Sequence, residues 1–89
     1  MADIARHIFF CGRVQGVGFR FTAREVAERY ELTGFVRNTS DGKVELLLQG
    51  REQDIDNCID DLQQTFSVRD TQMEQVEFNP SYENFEITF

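Results

Sequence analysis

Eighty-nine residues, 40% hydrophobic and 28% charged, with six Gly and one Pro, have the composition of a compact globular domain and not of a disordered or collagen-like chain. A chain of this size removes somewhat more than ~60% of its unfolded surface from water and folds without a metal or disulfide staple, so residues 1–89 are read as one domain. Nine Lys and Arg against sixteen Asp and Glu give a net charge of -7 and a pI near 4.5, a field that repels polyanions and argues against nucleic-acid and anionic-membrane partners. The longest apolar runs, at 8–11 and 46–48, are too short to span a bilayer, and Asp3, Arg6 and His7 stand where a signal peptide would carry its apolar region. The expectation is a soluble, cytoplasmic monomer.

The segment Arg6 to Val14 is rich in β-branched and aromatic residues and reads as a first strand, leaving through a loop that carries Gly12, Gly16 and Gly18. Ile8, Phe10, Gly12 and Val14 share one face of it, which puts Cys11 on the other. Ala23, Val26, Ala27 and Tyr30 then recur at helical spacing, with Arg24, Glu25, Glu28 and Arg29 opposite. Two starts are open for this helix: a capping box of Thr22 and Glu25, or Phe19, which would aim the helix amino end at the glycine loop. Gly34 is expected to mark the exit from the helical region.

Phe35 to Asn38 reads as strand two, running into Thr39-Ser40-Asp41-Gly42, where Asp-Gly signals a hairpin turn. Strand three sets Val44, Leu46 and Leu48 on one face and Glu45, Leu47 and Gln49 on the other, and ends at Gly50. A second helix is expected over Glu52 to Thr65, on the stripe Ile55, Cys58, Ile59, Leu62, Phe66, with acidic residues in its first turn where the dipole favours them. Strand four is expected over Met73 to Phe78, a loop at Pro80, and a final strand over Phe85, Ile87 and Phe89.

The order β-α-β-β-α-β-β suits an antiparallel sheet with two helices packed on one face, each strand burying one side and each helix one stripe. Because a right-handed β-α-β crossover can skip a position, strand three can return between strands one and two. This is an α+β fold, a ferredoxin-like α/β sandwich. Cys11 and Cys58 then lie on opposite sides of the sheet and cannot bridge, and together with His7 they form no cluster with metal-ligand spacing.

The segment with chemical content is Gly12-Arg13-Val14-Gln15-Gly16-Val17-Gly18-Phe19-Arg20, a glycine loop between a strand and a helix that closes on an arginine. Glycines allow consecutive N–H groups to point inward as an anion nest, a helix terminus adds partial positive charge, and the Arg20 guanidinium offers a planar fork for a phosphoryl group. By itself this pattern is also that of a plain glycine-rich turn beside a surface arginine. It lacks the G-x-G-x-x-G and G-x-x-x-x-G-K-[ST] spacings of nucleotide-binding loops. Arg13 and Arg24 flank the loop and either raise its potential or are ordinary solvated charges.

The stretch resembles the acylphosphatase family, whose first signature is G-x-V-Q-G-V-x-F-R, and Gly34-Phe35-Val36-Arg37-Asn38-Thr39-Ser40-Asp41-Gly42-Lys43-Val44 is similar to its second. The likeness runs from about Arg6 to Phe89. It implies hydrolysis of small-molecule acyl phosphates to a carboxylate and inorganic phosphate, with no metal or other cofactor. Arg20 matches the family's phosphate-binding arginine, Asn38 the asparagine that positions the attacking water, and Gln15, Gly16, Val17, Gly18 and Phe19 the phosphate cradle. The sequence departs from the family at Ser67 to Thr71, where relatives often have a less charged connection containing proline.

The chemistry accommodates so sparse a site, because a carboxylate leaving group with a conjugate-acid pKa of about 4 departs with little help from a general acid. Asn38 can orient a water but is too weak a base to take its proton. Thr39 could support Asn38 or simply serve the turn, Phe35 could face away from the helices, and the Phe89 carboxylate could pair with Arg20. Two rivals remain: an accessory module that binds acyl or carbamoyl phosphate without turnover, of the kind found at the start of longer carbamoyltransferase chains, and a ferredoxin-like RNA-binding module. The pI and the absence of an RNP1 stretch oppose the second.

Overall fold

The structure, a computed structural model, describes residues 3–16 and 18–89. The elements follow the expected order: β1 (Ile4–Arg13), α1 (Phe19–Arg29), β2 (Thr33–Asn38), β3 (Val44–Gly50), α2 (Glu52–Thr65), β4 (Ser67–Val76) and β5 (Phe85–Ile87). They build one five-stranded sheet in the order β4-β1-β3-β2-β5, so β3 does return between β1 and β2. Ile8 opposite Leu46, Phe10 opposite Val44, and Val36 opposite Leu46 turn one continuous apolar face toward the helices. Phe19, Ala23, Val26 and Ala27 of α1, and Ile55, Cys58, Ile59 and Leu62 of α2, close the core over it. This is the ferredoxin-like sandwich. Among the described residues no helix is long and apolar enough to cross a membrane.

The sheet departs from pure antiparallel pairing at one edge, where β5 runs parallel to β2. The reason lies in the path of residues 77–84. β4 is antiparallel to β1, and β1 and β2 both run antiparallel to β3, so a single reversal after β4 delivers β5 parallel to β2. That connection passes over the sheet face opposite the helices. Gln49 anchors it, its Nε2 donating to the Asn79 carbonyl at 3.0 Å and its Oε1 accepting from the Asn79 N–H at 2.8 Å. Phe35 does face away from the helices, and its ring lies 6.0 Å from that of Tyr82. Gln49 is thereby 1% exposed yet fully partnered, as a buried amide must be.

Several boundaries differ from the sequence reading: β2 begins at Thr33 and not Phe35, β4 ends at Val76 and not Phe78, β5 ends at Ile87 without Phe89, and two larger differences have a clear cause. β4 begins at Ser67, not Met73, because its extent follows its one partner: β1 pairs with it from Ala5↔Val76 to Arg13↔Ser67, with a register shift between Cys11 and Gly12. As an edge strand it buries little, so Arg69 and Asp70 show no alternation that could reveal it. The exit from α1 is made by Glu31 and not by Gly34. Glu31 takes φ 58, the Glu31 N–H reaches the Glu28 carbonyl at 3.0 Å and the Leu32 N–H reaches that of Ala27 at 2.9 Å, the paired bonds of a Schellman motif. Gly34 lies inside β2, where a Cβ would stand 1.9 Å from the Leu47 carbonyl oxygen.

The face away from the helices also carries a charged cluster. Glu45, 7% exposed, accepts from Arg37 Nε at 2.5 Å and lies 2.6 Å from His7 Nε2, joining β1, β3 and β2. Burial pushes the Glu45 carboxyl up, but its hydrogen bonds to His7 and Arg37 outweigh that and hold it below the ordinary carboxylate value. His7 is therefore a partnered strand histidine. Cys11 and Cys58 are both free, and burial raises the Cys58 thiol to about 12, so it stays protonated and inert.

Candidate active site

The helix opens at Phe19, which resolves the two possible starts in favour of the one aimed at the loop. Its N-cap is Gly18, at φ 76 and ψ 15, with no side-chain cap and no acid in the first turn. Gly16 also has positive φ, 73, and an added Cβ at either glycine would meet nothing within 4 Å. Backbone conformation, not crowding, therefore calls for glycine here, and the missing side chains leave the space over the helix end open. The first intrahelical bond runs from the Thr22 N–H to the Gly18 carbonyl at 3.1 Å. The N–H groups of Gly18, Phe19, Arg20 and Phe21 precede it and have no helical acceptor, which makes them donors for an anion.

A cavity of about 90 Å³ lies at this helix end, lined by Val14, Gly16, Gly18, Phe19, Arg20, Phe21 and Asn38. That is several times the space one water needs. Asn38 enters from the end of β2, and its Oδ1 is the buried side-chain oxygen that finds no hydrogen-bond partner among the described residues. A buried amide oxygen left unpaired costs on the order of 1–3 kcal/mol unless something fills the site. Arg20 and Asn38 thus line one cavity from different elements. Of the cradle positions read from the sequence, Gly16, Gly18 and Phe19 line it too, and Val17 lies outside the described residues.

Gln15 plays a different part. Its side chain turns from the cavity, and Nε2 donates to the carbonyls of Thr39 at 2.9 Å and Lys43 at 2.6 Å. It ties the glycine loop to the β2–β3 turn that begins just after Asn38. Thr39 serves that turn: its Oγ1 donates to Asp41 and accepts from the Lys43 N–H at 3.1 Å, and its own N–H bonds the Lys43 carbonyl at 2.9 Å. That hydroxyl is what lowers the Asp41 carboxyl below its ordinary value. Phe89 meets Arg20 through its ring and not through an ion pair, with the guanidinium carbon 4.5 Å from the ring centroid.

The charge distribution reconciles an acidic chain with an anion site. Arg6, Arg29, Arg37, Lys43 and Arg51 are each engaged by a carboxylate. Arg13, Arg20, Arg24 and Arg69 make no ion pair among the described residues, and all belong to the segments around the loop: the end of β1, the first turns of α1, and the start of β4 beside Gly12. Two of the neighbouring residues escaped the sequence reading. Arg69 was hidden by the unrecognised start of β4. Phe21 had a visible signal, since it falls off the apolar stripe of Phe19, Ala23, Val26 and Ala27 and so had no core role.

The acylphosphatase family model matches residues 6–87. The chain belongs to the acylphosphatase family. An acylphosphatase of Pseudomonas paraeruginosa is 53% identical over 55 residues, a match covering 62% of this chain and 60% of that relative. An acylphosphatase of Bacillus licheniformis is 37% identical over 81 residues, covering 88% of this chain and 90% of its own. The crystal structure of acylphosphatase from Bacillus subtilis superposes with a TM-score of 0.90 at 30% identity, over 97% of this chain and 99% of that one. The cavity that joins the glycine loop to Asn38 is therefore built on an acylphosphatase fold, between the segments that carry the two signatures.

Proposed function

We propose that this protein hydrolyses acyl phosphates to a carboxylate and inorganic phosphate, on a small-molecule substrate. The observation that carries the reading is the buried, unpartnered Oδ1 of Asn38, a residue that lines the same cavity as Arg20 and the amino end of α1. An anion needs donors, and a water needs an acceptor; both sets converge here.

The phosphoryl group sits against the N–H groups of the loop and of the first turn of α1, with the Arg20 fork on its oxygens. Asn38 Oδ1 accepts a hydrogen bond from a water and aims its oxygen at phosphorus, in line with the acyl oxygen. The P–O bond to the acyl group breaks with its electron pair leaving on the carboxylate, while the new P–O bond forms to water. A loose transition state of this kind leaves the protein mainly positioning and charge stabilisation to supply. The water proton moves late to a phosphoryl oxygen, since among the described residues no side chain at the cavity is a competent base. The carboxylate needs no protonation to leave.

The test is release of inorganic phosphate from benzoyl phosphate and acetyl phosphate, measured with and without excess chelator. Release above the spontaneous rate in both conditions is expected. Failure to release phosphate while inorganic phosphate still binds would leave a phosphate-binding module, and strict dependence on added metal would overturn the mechanism.

A further inference from the structure

We propose that Phe21 forms an apolar platform for the acyl half of the substrate, and that the protein selects acyl phosphates whose acyl group is apolar, best a flat aromatic ring. This rests on the acyl phosphate reading above and names the substrate class within it. The cavity holds about 90 Å³, beside the α1 amino end, so it takes the phosphoryl group and leaves the acyl group at the mouth. Phe21 is part of the lining and is nonetheless 58% exposed. Exposed large apolar side chains among the described residues are few: Phe21, Met73, Phe78 and Phe89, of which only Phe89 is more exposed than Phe21. Met73 and Phe78 belong to β4 and the connection after it, whereas Phe89 lies against Arg20, so the apolar surface beside the site is Phe21 and Phe89.

Neither ring has a packing reason to be there. Phe21 sits in the first turn of α1 on the solvent side, off the stripe that enters the core, and a cation lies over it, with Arg24 Cζ 5.7 Å from the ring centroid. A guanidinium on an aromatic ring fixes the ring without burying it and leaves apolar area for a second contact. An exposed aromatic at the rim of a polar cavity is the arrangement by which sites hold the apolar part of a ligand while polar groups fix its orientation. A planar acyl group gains offset or edge stacking on Phe21, which a methyl group cannot.

The experiment compares benzoylphosphonate and acetylphosphonate, which keep the charged group and cannot be hydrolysed, by calorimetry on the full chain, together with turnover of benzoyl and acetyl phosphate. The wild type is expected to bind benzoylphosphonate about tenfold more tightly than acetylphosphonate. F21A should reduce that ratio to near one, and F21L should keep part of it. The same ratio in F21A as in the wild type, or no aromatic preference in the wild type, overturns the proposal. Absence of turnover with the binding ratio intact would instead count against the hydrolytic reading alone.

Discussion

Gln15 holds Thr39: the amide nitrogen at the start of the glycine loop donates at 2.9 Å to the carbonyl of the residue that follows Asn38. The same nitrogen donates to the Lys43 carbonyl at 2.6 Å, so one side chain fixes the distance between the anion cradle and the strand end that presents Asn38. Gln15→Leu takes the amide donor from both carbonyls, leaving the Lys43 oxygen its bond from the Thr39 N–H, while keeping the volume. Misplacement by a fraction of an ångström between water and phosphorus lowers kcat more than it weakens anion binding. The expected result is a fall in kcat of about tenfold to a hundredfold with inorganic phosphate binding changed far less. A comparable loss in both would mean that Gln15 itself holds the anion.

Asn38 and Arg20 divide the work differently, and their variants should separate. Asn38→Ala removes the acceptor for water and none of the donors for phosphate, so turnover of an acyl phosphate should drop by at least about a hundredfold, the scale of a lost positioning or polar catalytic contact. The inhibition constant of inorganic phosphate should stay within a few-fold. Arg20→Gln removes charge that both ground and transition states use, so both quantities should suffer. Near-normal kcat in Asn38→Ala would remove the water-positioning role.

The parts of this fold that were legible in the sequence are those whose apolar residues recur, at the period of the element, on the side that faces the core. The stripe Ile55, Cys58, Ile59, Leu62 gave α2 its observed limits, and the alternation of Val44, Leu46 and Leu48 gave β3. The early part of β4 was not legible, because an edge strand held by backbone pairing to β1 places few demands on side chains. The path of residues 77–84 was not legible either, since it depends on Gln49 reaching Asn79 far along the chain. At the site, the glycines and Arg20 were readable from local chemistry. The role of Gln15 was not, because its partners lie on the β2–β3 turn and a glutamine in a glycine loop looks the same whether it binds an anion or a carbonyl.

The end of α1 carries a residue poorly suited to its conformation. Glu31 is exposed, has φ 58, and makes a Schellman turn that glycine makes without strain. The left-handed region costs a residue with a Cβ about 1 kcal/mol, and a carboxylate beside the last helical carbonyls meets the negative end of the dipole. Glu31→Gly should therefore stabilise the fold by about 1 kcal/mol, with Glu31→Asn giving a smaller gain. Urea unfolding at constant m-value measures it. A loss of stability in both variants would show that the glutamate makes a contact more favourable than the strain is costly.

Glu45 gives the fold an acid limit. Its carboxyl is held below the ordinary value in the folded state, the opposing effect of burial being outweighed by the bonds from His7 and Arg37. A group with a lowered folded pKa binds protons more readily when unfolded, so its contribution is complete above the unfolded value of about 4.3 and is lost as pH falls through the lower folded value. At pH 7, Glu45→Gln should cost on the order of 1–2 kcal/mol, the range for charged hydrogen bonds with partly exposed partners. The gap between wild type and variant should hold constant down to about pH 5 and close below about pH 4, as the wild-type carboxylate takes up its proton. Urea midpoints from pH 7 to pH 3 check this. A gap that stays open at the acid end would assign the loss to packing of the amide and not to the charge that joins β1, β3 and β2.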